Sequence, residues 1–306
     1  MRALSSGLSP EARVMKKTTK IFLETNWGAK SLVALYISVI SGVVLSLQYD
    51  FSEPYYSIGS LELIVPYGYF WRSLHFFSSQ AFFILLIFHL LAVVMKLYFA
   101  ERKVVGDNKE TVINMGERWL KPVLSVPVAI LLLFTGYVLK ADSTGKSAGL
   151  IAENIILSAP LVGEVINNFL FNISLTGLKV VYANHLIGFC VLWLFLVWDH
   201  LKKYRVSLMD HGKTVTGIII TSLLFTAPLD PFVPGEFHIS GPWFFVGLQE
   251  MLRLIQPFWA GILFPALAIV LLYLLMNTSQ HAKLVMACST LWIMVYSCFT
   301  IIGLAR

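Results

Sequence analysis

The chain has 306 residues, of which 57% are hydrophobic and 13% are charged. Soluble domains are about 45–50% apolar and about 25% charged, so this composition excludes an ordinary soluble protein and indicates an integral membrane protein. The net charge of +6 is explained by basic residues in alternate connections between spans, and nucleic acid is therefore not an expected partner.

Seven apolar stretches are predicted to cross the membrane, and the fifth is short for that purpose. Residues 10–26 precede them, and their basic and apolar pattern predicts an amphipathic helix in the membrane interface. The predicted spans are residues 29–49, 76–98, 121–140, 181–201, 213–228, 257–276 and 284–303. The predicted fold is all-α and integral to the membrane. A four-helix bundle lies within residues 1–210, and three further transmembrane helices lie within residues 211–306.

Basic residues cluster before the first span, between spans two and three, and after span four. The intervening connections carry more acidic residues. The positive-inside rule then places the N-terminus in the cytoplasm, in a multi-pass protein surrounded by membrane lipids.

Four histidines lie in the second and fourth spans. His75 and His89 are 14 residues apart, and His185 and His200 are 15 apart. At about 100° and 1.5 Å per residue, each helix presents two imidazoles on nearly one face, about 21 to 22 Å apart. Ionisable groups inside a membrane are costly, and neutral imidazole suits iron. We therefore predict two haems in series, each held by one histidine from each helix.

The two histidine-bearing spans run in the same direction, which decides the pairing. His75 and His185 are predicted to ligate the iron of an outer haem, and His89 and His200 the iron of an inner haem.

Two other patterns support this interpretation. Gly28 and Gly42 are also 14 residues apart, which favours clearance for the macrocycles over ordinary small-residue helix packing. The three cysteines lie within spans and form no CxxCH motif or paired cysteine motif, so a redox centre here must be held by histidine.

Further stretches complete the pattern around these histidines. They are SGVVLSLQY at 41–49, WRSLH at 71–75, TGYVLKADSTG at 135–145, APLVG at 159–163, YANH at 182–185 and GPWFFVGLQEMLR at 241–253. Together they resemble the cytochrome b family of quinol–cytochrome c and plastoquinol–plastocyanin oxidoreductases, over nearly the whole chain. The 14-then-15 spacing is similar to the chloroplast type, with all spans fused in one chain.

The resemblance implies the di-haem b subunit of a bacterial respiratory complex in the inner membrane. Such a subunit oxidises quinol at the outer face and passes electrons through two b haems to an inner quinone site, with proton translocation. The quinone would be menaquinone or ubiquinone. The implied partners are a Rieske-type iron–sulfur protein or c-type cytochrome subunits, within a homodimeric complex.

The resemblance also assigns residues around the haems. Arg72 and Arg205 look like family arginines that serve haem propionates. The outer quinol pocket would be lined by Tyr137, Leu139, Trp243, Phe244 and Phe245.

The chain departs from the family at the outer quinol site. GPWFF looks like a variant of the family's PEWY motif, and Pro242 stands where the glutamate that accepts a quinol proton is expected. Either Glu250 or Asp142 would take that catalytic role. Lys140 and Ala141 replace the usual Pro-Trp, and Pro122 replaces a haem-clearing glycine.

Two alternatives stay open at this point. The altered outer site is compatible with a subunit that exchanges electrons between quinone and a multihaem c-type partner without bifurcation. A haem-free transporter with functional intramembrane histidines is the alternative of another class.

Overall fold

The computed structural model describes residues 18–101, 110–231, 239, 241–277 and 281–306. Its helical residues 98–101 and 110–118 are described as backbone only. Within these ranges the regular structure is helical and contains no strand, in agreement with the predicted all-α class. Residues 18–24 are helical, whereas residues 10–17 of the predicted interfacial helix lie outside the described ranges.

Eleven helices are numbered here in chain order. Those up to residue 201 are α1 (Trp27–Ser46), α2 (Pro54–Leu63), α3 (Gly68–Glu101), α4 (Glu110–Leu139), α5 (Ser143–Leu157), α6 (Gly163–Leu170) and α7 (Lys179–Leu201). The later ones are α8 (Gly212–Leu224), α9 (Val246–Met251), α10 (Trp259–Asn277) and α11 (Ala282–Leu304).

The long helices α1, α3, α4 and α7 form the bundle predicted for the first part of the chain. Helix α1 packs along α3, and α7 packs along α4. Small residues such as Ala34 and Ala129 are fully buried at these contacts, which lets the helix axes approach closely. Larger side chains, including Phe82 and Trp193, fill the space between the four helices. We call the end of the bundle that carries His75 and His185 the outer end, following the predicted topology.

Helix α7 is not α-helical throughout. Residues Asn184–Gly188 form one π-helical turn, followed by regular helix over Phe189–Leu201. A π-turn closes its hydrogen bond one residue later than an α-turn, so it takes up one extra residue. The 15-residue interval from His185 to His200 therefore matches the 14-residue interval in the regular helix α3.

Six helices of the described structure are long and apolar enough to cross a membrane, one fewer than the sequence predicts. The difference lies at the fifth predicted span, residues 213–228. Helix α8 has 13 residues there and ends before Phe225, whose backbone is extended. At about 1.5 Å per residue it is about 20 Å long, shorter than the roughly 30 Å hydrocarbon layer.

The C-terminal helices pack against the bundle. Helix α8 contacts α1 and α3, and α10 contacts α4. Residues 227–231, which we call the strap, cross the outer end of the bundle: the amide of Ala227 donates to Ser73 of α3, and Ser143 of α5 donates to the carbonyl of Pro231. The boundary near residue 210 remains a prediction.

Candidate haem-binding site

The four histidines of α3 and α7 meet as two pairs. The ring centroids of His75 and His185 are 6.2 Å apart at the outer end, and those of His89 and His200 are also 6.2 Å apart at the inner end. This is the pairing predicted from the sequence.

The separation within each pair fits a metal held between two imidazoles. A coordinating nitrogen lies about 1.1 Å from its ring centre and about 2.0–2.1 Å from a bound metal, which gives about 6.3 Å between ring centres. The observed 6.2 Å in both pairs agrees with this value. The donor set of neutral imidazoles also suits haem iron.

The outer pair has its second ring nitrogens engaged. Nδ1 of His75 donates to the carbonyl oxygen of Ser38 at 2.8 Å. Nδ1 of His185 lies 2.9 Å from Oγ1 of Thr135, whose own hydroxyl donates to the carbonyl of Leu131 at 2.7 Å. The Thr135 oxygen therefore accepts from His185. Both outer histidines are thus held in the tautomer that leaves Nε2 free for a metal.

Glycines lie directly against the histidine rings. A Cβ atom on Gly28 would come within 2.9 Å of His89, and one on Gly42 within 2.9 Å of His75. A Cβ atom on Gly136 would come within 3.3 Å of His185. Gly28 and Gly42 were predicted to give clearance. Gly136 was missed as a site residue although it lies inside the TGYVL motif.

A cavity of about 340 Å³ opens between the helices at the outer end. His75, His185, Gly42 and Gly136 line it, and most of the remaining wall is apolar. Such a space, enclosed by apolar side chains with two convergent imidazoles, fits a flat, largely hydrophobic macrocycle.

Arg72 lines the same cavity and is itself buried. Its guanidinium lies 2.5 Å from Glu62 and donates to the strap carbonyls of Ala227 and Pro228. Arg205, the other predicted propionate partner, is exposed beyond the end of α7. Arg72 thus lies in the wall of the outer cavity. Arg205 follows His200 at the inner end, and its role stays a prediction.

The predicted quinol-site aromatics form a cluster beside this cavity. Phe244 lies 5.6 Å from Tyr137 and 6.1 Å from Phe83, measured between ring centroids. Trp243 lies 6.1 Å from Phe83, and its indole N–H donates to Gln80 at 2.8 Å. The turn at 241–245 thus reaches α3 and α4.

The other two predicted pocket residues are placed differently. Leu139 lines the outer cavity and is buried. Phe245 points into a hydrophobic core, where its ring is 5.1 Å from Phe134. Phe83 and Gln80, which the sequence did not single out, take part in the cluster instead.

The two predicted proton acceptors are both committed to ion pairs. Glu250 is 6% exposed and faces α11, with Oε1 3.1 Å from Arg306 and Oε2 3.4 Å from Arg253. Asp142 is fully buried. Its oxygens accept from Lys140 at 2.8 Å, from the amide of Gly145 at 2.8 Å and from a strap amide at 3.1 Å.

Comparisons with known proteins agree with this architecture. The family model described as cytochrome b/b6/petB matches residues 14–206. The chain is 25% identical to a cytochrome b of Bugula neritina over 288 residues, covering 81% of this chain and 74% of the relative. It is 24% identical to a cytochrome b of Rickettsia prowazekii (strain Madrid E) over 296 residues, covering 83% and 71%.

The fold is also similar to a solved structure titled "Hyperthermophilic respiratory Complex III", with a TM-score of 0.61 and 20% sequence identity. The match covers 95% of this chain and 89% of that chain. The family model spans the histidine-bearing bundle and more than half of the residues. The chain belongs to the cytochrome b family, a family of multi-pass membrane proteins that bind haem b and serve electron transport.

Proposed function

We propose that the chain holds two haem b groups and serves as the electron-carrying membrane subunit of a respiratory quinol oxidoreductase. The observation that carries this proposal is the pair of equal 6.2 Å separations, one at each end of the same two helices. Packing alone gives no reason for two histidine pairs to share one metal-compatible distance.

The side chains around each iron position have distinct tasks in this proposal. The histidines ligate through Nε2, and the hydrogen bonds to Ser38 and Thr135 orient the outer rings. The glycines keep the helix surface open beside the rings. When bound, haem b supplies a carrier that accepts and releases one electron.

The aromatic cluster of Tyr137, Trp243 and Phe244 is the proposed quinol site. Its rings give a flat, apolar wall for a quinone ring and its tail, and Tyr137 lines the outer cavity as well. Quinol would be oxidised here, with its protons released at the outer side.

The remaining assignments follow the same proposal. The chain would sit in a bacterial inner membrane with the N-terminus in the cytoplasm. Its partners would be a Rieske-type iron–sulfur protein or c-type cytochrome subunits, and the complex would be a homodimer. The quinone would be menaquinone or ubiquinone.

The test is the haem content of the purified chain. A pyridine haemochrome assay should give two b haems per chain in the wild type and one in His75→Ala and in His89→Ala. His281→Ala serves as the control, because His281 is exposed at the start of α11. A wild-type value near zero would refute the proposal, and two haems retained in either bundle variant would refute the ligand assignment.

A second candidate is a subunit that exchanges electrons between quinone and a multihaem c-type partner without bifurcation. Pro242 cannot accept a proton, and both carboxylates predicted to replace the missing glutamate are held in ion pairs. The oxygens of both carboxylates are therefore already occupied by cationic side chains and, for Asp142, also by backbone amides.

The two candidates differ in what quinol oxidation requires. Bifurcation requires the second electron to leave for an oxidised external acceptor at the same time, whereas simple exchange does not. Stopped-flow reduction of the b haems by quinol, with the partner acceptor pre-reduced or pre-oxidised, separates them. Equal rates in both conditions would favour the second candidate, and reduction only with the oxidised acceptor would favour bifurcation.

A further inference from the structure

The outer cavity has an unusual balance of charge. Among the residues that line it, Arg72 and Lys140 are cationic and no carboxylate is present. A pocket with two cations and no anion in its wall is complementary to a ligand that carries two carboxylates. Haem b has two propionates, so each cation can be matched with one of them.

Both cations lie on the outer side of the histidine level. Arg72 precedes His75 by three residues, one turn of α3. Lys140 follows Gly136, which contacts His185, by four residues at the end of α4. The two cations thus come from different helices, one on α3 and one directly after α4, and both lie in the wall of the cavity.

Neither solvent exposure nor the positive-inside rule explains the position of Lys140. Its side chain is only 10% exposed, although lysines outside the membrane core are normally solvated. It also lies at the outer end, where the positive-inside rule disfavours basic residues. The chain turns at Ala141 with a φ of 53°, and the ammonium of Lys140 lies 5.0 Å from the ring centre of Tyr137.

The ammonium group of Lys140 can donate to a second acceptor while it is bonded to Asp142. An ammonium group has three N–H donors, and the described contacts assign one of them to Asp142 at 2.8 Å. Asp142 also accepts from the amide of Gly145 and from a strap amide. The carboxylate therefore keeps two hydrogen bonds without Lys140.

Most of the N–H donors of Arg72, by contrast, already have acceptors. Its terminal nitrogens bind Glu62 and the two strap carbonyls, and its Nε is buried without a partner in the described structure. Two of its five N–H donors remain, and together they can serve one carboxylate as a bidentate pair. A second carboxylate in this cavity needs another cation.

We propose that Lys140 binds a propionate of the outer haem, beside Arg72, and raises the reduction potential of that haem. The inference rests on the proposed function, since it requires a haem between His75 and His185. A positive charge next to the haem stabilises the added electron, so its removal should make the outer haem harder to reduce.

The test is a spectroelectrochemical titration of the purified chain with both haems bound. Lys140→Met should lower the equilibrium constant for reduction of the outer haem about tenfold, which is about 59 mV for one electron. Lys140→Arg should keep the wild-type value within about threefold, because the charge is retained. The outer haem is the one that His75→Ala removes.

Two controls are built into the measurement. Lys179→Met removes a lysine of the same charge that is exposed at the start of α7, and it should leave the outer haem unchanged. The inner haem should keep its potential in every variant, which also shows that the bundle is folded. If Lys140→Met binds neither haem, Lys140→Gln replaces it and is judged by the same criterion.

The outcomes separate this inference from the proposed function. Wild-type protein without an outer haem refutes the proposed function before any variant is read. Two haems with an unchanged outer potential in the neutral variant refute only the role of Lys140. Selective loss of the outer haem in Lys140→Met, with the inner haem retained, supports that role.

Discussion

The outer and inner histidine pairs share one ring separation, 6.2 Å, but differ in what surrounds the rings. The outer rings bond Ser38 and Thr135 through their second nitrogens. In the described part of the chain no such bond reaches His89 or His200. Helices α3 and α7 thus set the distance within each pair, and α1 and α4 supply the hydrogen bonds that orient the outer rings.

The ends of the bundle beyond the two histidine pairs, here called the outer and inner rims, differ in the burial of their ion pairs. The outer rim is closed by buried ion pairs and by the strap. The inner rim carries Lys121, Asp199 and Lys202, which form exposed ion pairs at 3.1 and 3.2 Å. Buried charged contacts are expensive to break, whereas exposed ones contribute little. The outer level should therefore be the more sensitive to substitution.

The largest effects are expected at the glycines. Gly42→Val should abolish the outer haem, and Gly28→Val the inner one, because a Cβ atom alone already comes within 2.9 Å of the histidine ring. Haem content per chain is the measurement. Gly217→Val is the control, since nothing lies within 4 Å of its added Cβ. If Gly42→Val retains both haems, the backbone moves far enough to accommodate the added side chain beside His75.

The next largest effect is expected for substitution of Glu153 on α5, which should lower the stability of the fold. Burial of Glu153 raises its pKa, but hydrogen bonds from Ser174 and Asn167 outweigh this and lower the pKa overall. Glu153→Ala should destabilise the fold by about 1.5–3 kcal/mol, the usual size for hydrogen bonds to a charged group. Thermal unfolding in detergent measures this change.

The lowered pKa of Glu153 predicts that the stability of the fold depends on pH. Because the folded pKa of Glu153 lies below the unfolded value, its contribution is complete above about pH 4.3 and is lost as the pH falls through the lowered pKa. Glu153→Gln should remove this part of the acid destabilisation. An identical acid profile in the wild type and in Glu153→Gln would contradict the assignment.

Thr135→Val should have a smaller effect, confined to the outer haem. Loss of the acceptor for Nδ1 of His185 makes the ligand less basic, so the reduction potential of the outer haem should rise. A hydrogen bond of about 1 kcal/mol corresponds to about 40 mV at most. Thr221→Val is the control, because Thr221 is half-buried and its hydroxyl donates to the carbonyl of Gly217 within α8. If the potential of the inner haem changes and that of the outer haem does not, Thr135 does not act on the outer haem.

The smallest effect is expected at the inner rim. Lys121→Ala breaks an exposed ion pair with Asp199, and exposed pairs add little to stability. The melting temperature should not change measurably, and both haem potentials should stay within error. A loss of stability as large as that of Glu153→Ala would show that this exposed ion pair contributes as much as a buried hydrogen-bonded carboxylate.

Much of the site was predictable from spacing alone. Two histidines 14 or 15 residues apart in each of two apolar helices predict two stacked pairs, because helix geometry fixes their axial separation. The glycine spacing predicted the contacts of Gly28 and Gly42 with the rings. Regular periodicity could not reveal the π-turn at Asn184–Gly188, since that turn depends on local hydrogen bonding.

The quinol region was less predictable. Sequence proximity to the GPWFF motif suggested a catalytic Glu250, and that role stays a prediction. The sequence did not reveal that this side chain forms an ion pair with Arg306. Phe245 likewise turns into the core, away from Phe244 beside it. Neighbours in sequence lie on different faces of a helical turn, so a motif does not by itself decide which members line a pocket.

The sequence by itself determined that the chain crosses a membrane, that its bundle pairs four histidines at two levels, and which glycines lie beside them. These features follow from composition and helical periodicity, which are local. Only the tertiary structure decided that Thr135 and Ser38 orient the outer rings, that the strap closes the outer end, and that Lys140 faces the cavity. Those contacts join residues distant in the chain, and their geometry depends on how whole helices pack.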